Sequence, residues 1–253
     1  MKKLNYLALV LCFTAYSVLS QTIITDRPDQ TESSSTIEEG SLQIETGILL
    51  GFTEVDFTSE RQLLAPTTLF RYGITKGIEL RVLSQFESLK DQNSLQKVSG
   101  ISDLEIGTKV QLFKRENVNT EIAFVAHLIF PTGSNGLTNG SFGTIYKLSI
   151  SHELNDVLGL GYNIGYDYYG IGNGDLTYSA ALGISITDTF GFYIEPFGNL
   201  VELKRLEANF DAGITYLLKD NVQFDFSFGT GINHTMNYLS IGYSVNIAKA
   251  KLN

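Results

Sequence analysis

From Ser41 onward the chain repeats one local pattern: about ten residues in which apolar side chains alternate with polar ones or glycine, then a polar turn, then the pattern again. Period two is the mark of a β-strand whose two faces meet different surroundings. Leu42, Ile44, Ile48, Leu50 and Phe52 share one face of the first segment, and Gln43, Glu45, Gly47, Gly51 and Thr53 the other. In the next, Leu64, Phe70, Tyr72 and Ile74 oppose Thr67 and Arg71. The cleanest stretch sets Leu158, Leu160, Tyr162, Ile164, Tyr166 and Tyr168 against Gly159, Gly161, Asn163, Gly165 and Asp167. About twelve such segments follow one another, an even number. Short connections near Lys76, Glu116, Asn155, Asp188 and Asp220 alternate with longer ones at 53–62, 90–100, 132–141, 170–175, 199–205 and 233–237. An even count with short turns at one end and long ones at the other predicts an all-β chain, a single closed antiparallel up-and-down transmembrane β-barrel with both termini periplasmic.

A soluble sandwich also alternates, and the polar face decides between the two. Glycine recurs there (Gly107, Gly159, Gly161, Gly165, Gly183, Gly213, Gly229 and Gly242 among others). In a strand glycine weakens the backbone and packs nothing, which makes sense where space is short, as inside a narrow barrel. The charges on that face carry both signs: Glu45, Arg71, Glu79, Arg81, Asp103, Glu105, Lys109, Lys147, Asp167, Glu195, Glu207, Asp211 and Asp225. They are read as lining the lumen. Arg71, Glu79 and Arg81 flank one tight hairpin and can pair across its strands. Acids outnumber bases, which predicts a mild preference for cations. Trp is absent, but thirteen Tyr, many of them on the apolar face, can occupy the membrane interfaces.

The start of the chain agrees. Lys2 and Lys3, the apolar run 7–13 and the small residues Val18 and Ser20 make residues 1–20 a secretory signal peptide, and cleavage after Ser20 removes Cys12, the only cysteine. No later run is long and apolar enough for a transmembrane helix. With 27 acidic residues against 18 basic ones, nucleic acid is excluded as a partner. Outer-membrane lipid, a small-molecule solute and the barrel-assembly machinery are the partners expected.

Residues 41–253 form the barrel in this reading, and residues 21–40 a polar segment before it. That segment either folds into the lumen as a plug, with Asp26, Arg27 and Asp29 meeting the charges of the wall, or stays an unordered leader. Tyr193 and Phe197, inward rings, either contact apolar cargo or fill space. His127, His152 and His234 lie on separate segments and none precedes a serine in a His-x-Ser pattern, so no enzyme, metal or cofactor is expected. A structural or adhesive barrel is the alternative to a channel, and an outer-membrane lipid hydrolase a more distant one.

The stretch ITDRPDQTESS from Ile24, LQIETG from Leu42, RYGITKGIELR from Arg71, SDLEIGTKV from Ser102 and FPTG from Phe130 resemble the family called "putative MetA pathway of phenol degradation". The resemblance covers nearly all of the mature chain. It implies an outer-membrane β-barrel that moves small molecules, with a link to aromatic degradation and no defined substrate. The ending Lys249 to Asn253 departs from the terminal aromatic that barrel-assembly machinery commonly reads.

Overall fold

The computed structural model describes residues 22–249 except 56, 57, 116 and 117; the expected signal peptide and the Glu116–Asn117 turn lie outside the described residues. The strands are β1 (Leu42–Val55), β2 (Thr58–Thr75), β3 (Ile78–Asp91), β4 (Lys97–Ile101), β5 (Leu104–Lys114), β6 (Thr120–Phe130), β7 (Gly143–Glu153), β8 (Leu158–Tyr168), β9 (Asp175–Ser185), β10 (Phe190–Val201), β11 (Arg205–Lys219), β12 (Val222–Gly231) and β13 (Thr235–Ile247). All neighbouring pairs are antiparallel, and β1 pairs with β13 on one side and β2 on the other, so the sheet closes on itself. The short β4 and the longer β5 lie in line along β3, with the Ser102 amide donating to the Gln85 carbonyl in the step between them (3.0 Å). Together they make one staff of the wall, which is a closed barrel of twelve. Apart from the outer side of the short β4, closure leaves every strand paired on both sides, the condition for a sheet to cross hydrocarbon.

The alternation becomes an inside and an outside. Ile48, Tyr72, Phe124, Tyr146, Ile164, Tyr178, Phe226 and Ile241 lie exposed on the outer surface, while the largest side chains with almost no exposure are Arg71, Arg81, Lys109, Gln43, Glu45, Glu79 and Glu195. A soluble protein reverses this order. The outer belt is what a barrel presents to lipid, and it places this one in the outer membrane.

Two differences from the sequence pattern each have a physical cause. The stretches 53–62 and 90–100, expected to be loops, are mostly strand: the β1–β2 and β3–β4 hairpins continue past the apolar belt. Outside hydrocarbon both faces turn polar, so the alternation fades although backbone pairing goes on. Leu64, expected on the lipid face, points inward. The β2 register shifts between Leu64 and Thr67, which sets Leu64 opposite Leu49 and Glu87. A bulge inserts residues on one strand and turns everything beyond it to the other face. Leu64 thereby stands beside Leu49 on the inner wall, one Thr67–Gln85 step from a second inward pair, Leu69 and Leu83.

The end holding Leu42 and Ile247 is called the near end here, and the other the far end. At the far end, loop 131–142 is pinned to the β4–β5 step. Asp103 accepts from the Gly133 amide (2.8 Å) and the Thr138 hydroxyl (3.0 Å).

The interior is tight enough to require glycine at particular places. A Cβ on Gly242 would stand 2.5 Å from Arg27 Nη2 and 2.7 Å from the Thr46 carbonyl, whereas on Gly159 it would meet nothing closer than 3.9 Å. Gly242→Ala should therefore cost about 1–3 kcal/mol through overpacking. Gly159→Ala should stay within about 0.5 kcal/mol of wild type. Urea unfolding in lipid vesicles measures both, and equal losses would contradict this account of the packing.

Candidate functional site: a charged segment inside the barrel

Residues 22–40 occupy the interior. The segment enters at the near end, where the Ile23 amide donates to the Asp220 carbonyl (2.7 Å). It rises to touch β8, β9, β10 and β12, and returns to the near end, where Glu39 bridges Gly73 and the Gly40 amide donates to the Gly73 carbonyl (2.8 Å). A Cβ on Gly73 would lie 2.1 Å from the Glu38 carbonyl oxygen, so only glycine lets the returning backbone approach β2.

Asp26 is the centre of the contacts. Its Oδ2 receives Arg81 Nη1 at 2.7 Å, Lys109 Nζ at 2.9 Å and Arg71 Nη1 at 3.2 Å. Its Oδ1 receives Lys109 Nζ (2.9 Å), the Ser33 amide (2.9 Å) and the Ser33 hydroxyl (2.8 Å). The wall completes the network: Arg71 pairs with Glu45 and Glu79 at 2.9 Å each, and Arg81 with Glu79 at 2.9 Å. Glu32 from the segment adds a third carboxylate on Arg81 (2.6 Å). Burial alone would raise the Asp26 carboxyl, yet the charges of Arg71, Lys109 and Arg81 hold it well below the usual carboxylate range. Glu32 is lowered too: burial opposes it, and Arg81 and Lys109 prevail.

The opposite wall is acidic. Arg27 Nη2 pairs with Asp225 Oδ1 (2.9 Å) and donates to Ser240 (3.0 Å). Glu195 and Asp211 stand directly opposite on β10 and β11. Glu195 accepts from the Gln30 amide (2.7 Å) and the Thr31 hydroxyl, and Asp211 from the Tyr238 hydroxyl. Asp29 adds a third carboxyl here, and burial followed by the charges of Glu195 and Asp211 pushes it well above the usual range.

The residues singled out in the sequence thus separate into groups. Arg71, Arg81, Lys109 and Glu45 meet Asp26, and Glu79 joins them through Arg71 and Arg81; Glu195 meets the segment's turn with Asp211 beside it; Asp225 meets Arg27. Glu105 pairs with His127 Nδ1 (2.9 Å), whose Nε2 accepts from Arg81 Nε (3.0 Å). Lys147, half-buried, acts on Glu32 through its charge, and Asp167 is buried on β8 one step diagonal from Lys147. Asp103 holds the far-end loop and stands apart from these clusters. Tyr193 is buried, its ring where a side chain on Gly213 would sit, and Phe197 is half-buried further along β10. Sequence reasoning did not pick out Gln30, Thr31, Ser33 or Asn163 as contacts. Asn163 bonds the Glu32 amide (2.6 Å) and carbonyl (3.1 Å), but a lone inward Asn has no pattern to flag it.

The carboxyl shifts set the pH dependence. A group held low in the folded state stabilises it above the ordinary carboxylate range, and that contribution is lost as pH falls through its depressed value. Asp26→Asn should destabilise the protein by about 3 kcal/mol at neutral pH, in the range for breaking a buried ion pair. In strong acid the variant and wild type should converge. Asp29 has the opposite sign, since a raised group costs stability as pH rises through the ordinary range toward its shifted value. Asp29→Asn should gain on wild type as pH rises. Urea midpoints from acid to neutrality check both, and parallel curves for the three proteins would refute the assignment.

Solved outer-membrane channels share this architecture. The COG4313 outer membrane channel from Pseudomonas putida F1 matches with a TM-score of 0.68 at 13% identity, over 85% of this chain and 98% of that one. The KdgM porin, solved in complex with disordered oligogalacturonate, gives 0.55 at 11% identity over 80% and 98%. The NanC porin gives 0.50 at 12% identity over 79% and 98%. Identities this low establish the fold alone. No curated protein matches the sequence. A family model matches residues 25–248, beginning within the interior segment and ending after the last strand. The chain belongs to the family described as "Putative MetA-pathway of phenol degradation".

Proposed function

We propose that the protein is an outer-membrane channel for small molecules, with small aromatic or hydrophobic compounds as solutes and residues 21–40 as its plug. The observation that carries this reading is the manner of closure. The interior holds a separate polar segment, fixed among the wall's side chains through hydrogen bonds and ion pairs. Such contacts exchange with water or solute more readily than an interlocked apolar core. In this reading residues 1–20 are the export signal and 41–253 the barrel, with its charged inner face along the path.

Beside the charges, the leucine pairs Leu49–Leu64 and Leu69–Leu83, and on β10 Tyr193 and Phe197, give an apolar solute surfaces to meet. Inward charges set ion preference in such a pore, and hydrophobic lining sets where it dewets. The nearly complete internal pairing of Arg71 and Arg81 favours a second reading, a permanently closed structural barrel.

Planar-bilayer conductance of the refolded protein, with and without residues 21–40, separates the two. Removal of the segment should raise single-channel conductance severalfold. Unchanged conductance in an open pore would remove the plug from the account. Silence from both proteins would leave the structural barrel.

A further inference from the structure

The wall around Asp26 has a chemical preference of its own. Arg71 on β2, Arg81 on β3 and Lys109 on β5 come from three neighbouring strands and converge on one carboxylate. The strands' own acids in this cluster, Glu45 and Glu79, both touch Arg71, and Glu79 also touches Arg81. Without the segment, three cations would face two anions at this spot, and Lys109 would lose both its carboxylate partners, Asp26 and Glu32. Unpaired buried charge is expensive, so the vacated place calls for an anion. Two guanidinium groups and an ammonium arranged about two oxygens suit a carboxylate in particular.

We propose that Arg71, Arg81 and Lys109 form a binding site for small carboxylates, occupied in this state by the chain's own Asp26, so that a carboxylate solute competes with Asp26 and releases the segment. This rests on the channel reading and names its solute class and its opening step.

The wall's contacts to Asp26 are all made by side chains reaching its carboxylate oxygens, apart from Glu45, which accepts from its amide (2.9 Å). A free carboxylate can therefore take up every cationic contact. Release needs no threading, because both legs of the segment leave at the near end, at Asp220 and Gly73. Its buried aliphatic side chains are Ile23 and Ile37, close to those legs, and Pro28 is the one buried apolar side chain deeper inside, so little apolar burial is given up there. The acid surplus of the interior does not oppose this. Glu195, Asp211 and Asp225 stand on the opposite wall, where small inorganic cations can respond to them while a carboxylate binds at the triad.

Titration calorimetry of the refolded protein with benzoate, benzyl alcohol and benzylammonium tests the site, since the three differ chiefly in the charged group. Benzoate alone should bind. A competing internal ligand lowers apparent affinity by the fraction of molecules in which the site is free, so Asp26→Asn should bind benzoate about tenfold or more tightly than wild type. Adding Lys109→Gln to Asp26→Asn should remove most of that gain. Should Asp26→Asn fail to refold, Glu32→Gln keeps Asp26, loosens the tether at Arg81, and should also tighten benzoate severalfold. Equal affinity for benzoate and benzyl alcohol, or no change in either variant, overturns the proposal.

Swelling of proteoliposomes in the same solutes separates this inference from the reading beneath it. Entry of benzyl alcohol and benzylammonium without preference for benzoate defeats the carboxylate site and leaves the channel. No entry of any solute, even with residues 21–40 deleted, defeats both.

Discussion

Arg71 and Arg81 face each other directly across the β2–β3 pair, two like charges a strand apart and shielded from water. Left alone they would force the hairpin open or draw water into it. Glu79 lies between them in reach of both, Glu45 takes the far side of Arg71, and Asp26 closes the remaining gap from within the lumen. The position of the N-terminal segment follows from this demand. A carboxylate had to come from somewhere other than the strands, and the chain supplies it from the residues before the first one.

The arrangement also explains how a protein with almost no apolar core holds together. The wall is fixed by its closed ladder of backbone hydrogen bonds and by lipid on its outer surface, so the interior is free to be polar. A buried ion network adds little net stability, because desolvation offsets much of the attraction. What it contributes is position. Each charged group in the part of the segment deep in the lumen has one place where its partners stand, with Asp26 and Glu32 against the basic wall and Arg27 against Asp225 on the acidic one. Asp29 is the exception, a carboxyl set among carboxyls.

Much of this was legible in the sequence, and the parts that were not each have a physical reason. Alternation reports which side of a strand meets lipid, so the wall strands and the inward charges such as Arg71, Glu79 and Lys109 could be read within the belt. Beyond it both faces are wet, and the extended β1–β2 and β3–β4 hairpins read as loops. A register shift breaks the parity of the pattern, and Leu64 was lost to that. Contacts made at long range by a segment without periodicity, such as Gln30 to Glu195 and Glu32 to Asn163, leave no local trace. Arg27 and Asp26 stood out as charges needing partners, but which partners depends on the curvature of the closed sheet.

The shift that turns Leu64 inward has a further consequence. With Leu49, Leu69 and Leu83 it gives one side of the bore two apolar patches, parted by Thr67 and Gln85, while other parts of the wall carry carboxyls and amides. Water in such a bore is distributed unevenly around the axis, thinned along the leucines and anchored where the wall is polar. A molecule with one greasy flank and one charged end would be oriented by that asymmetry before it touched any particular side chain.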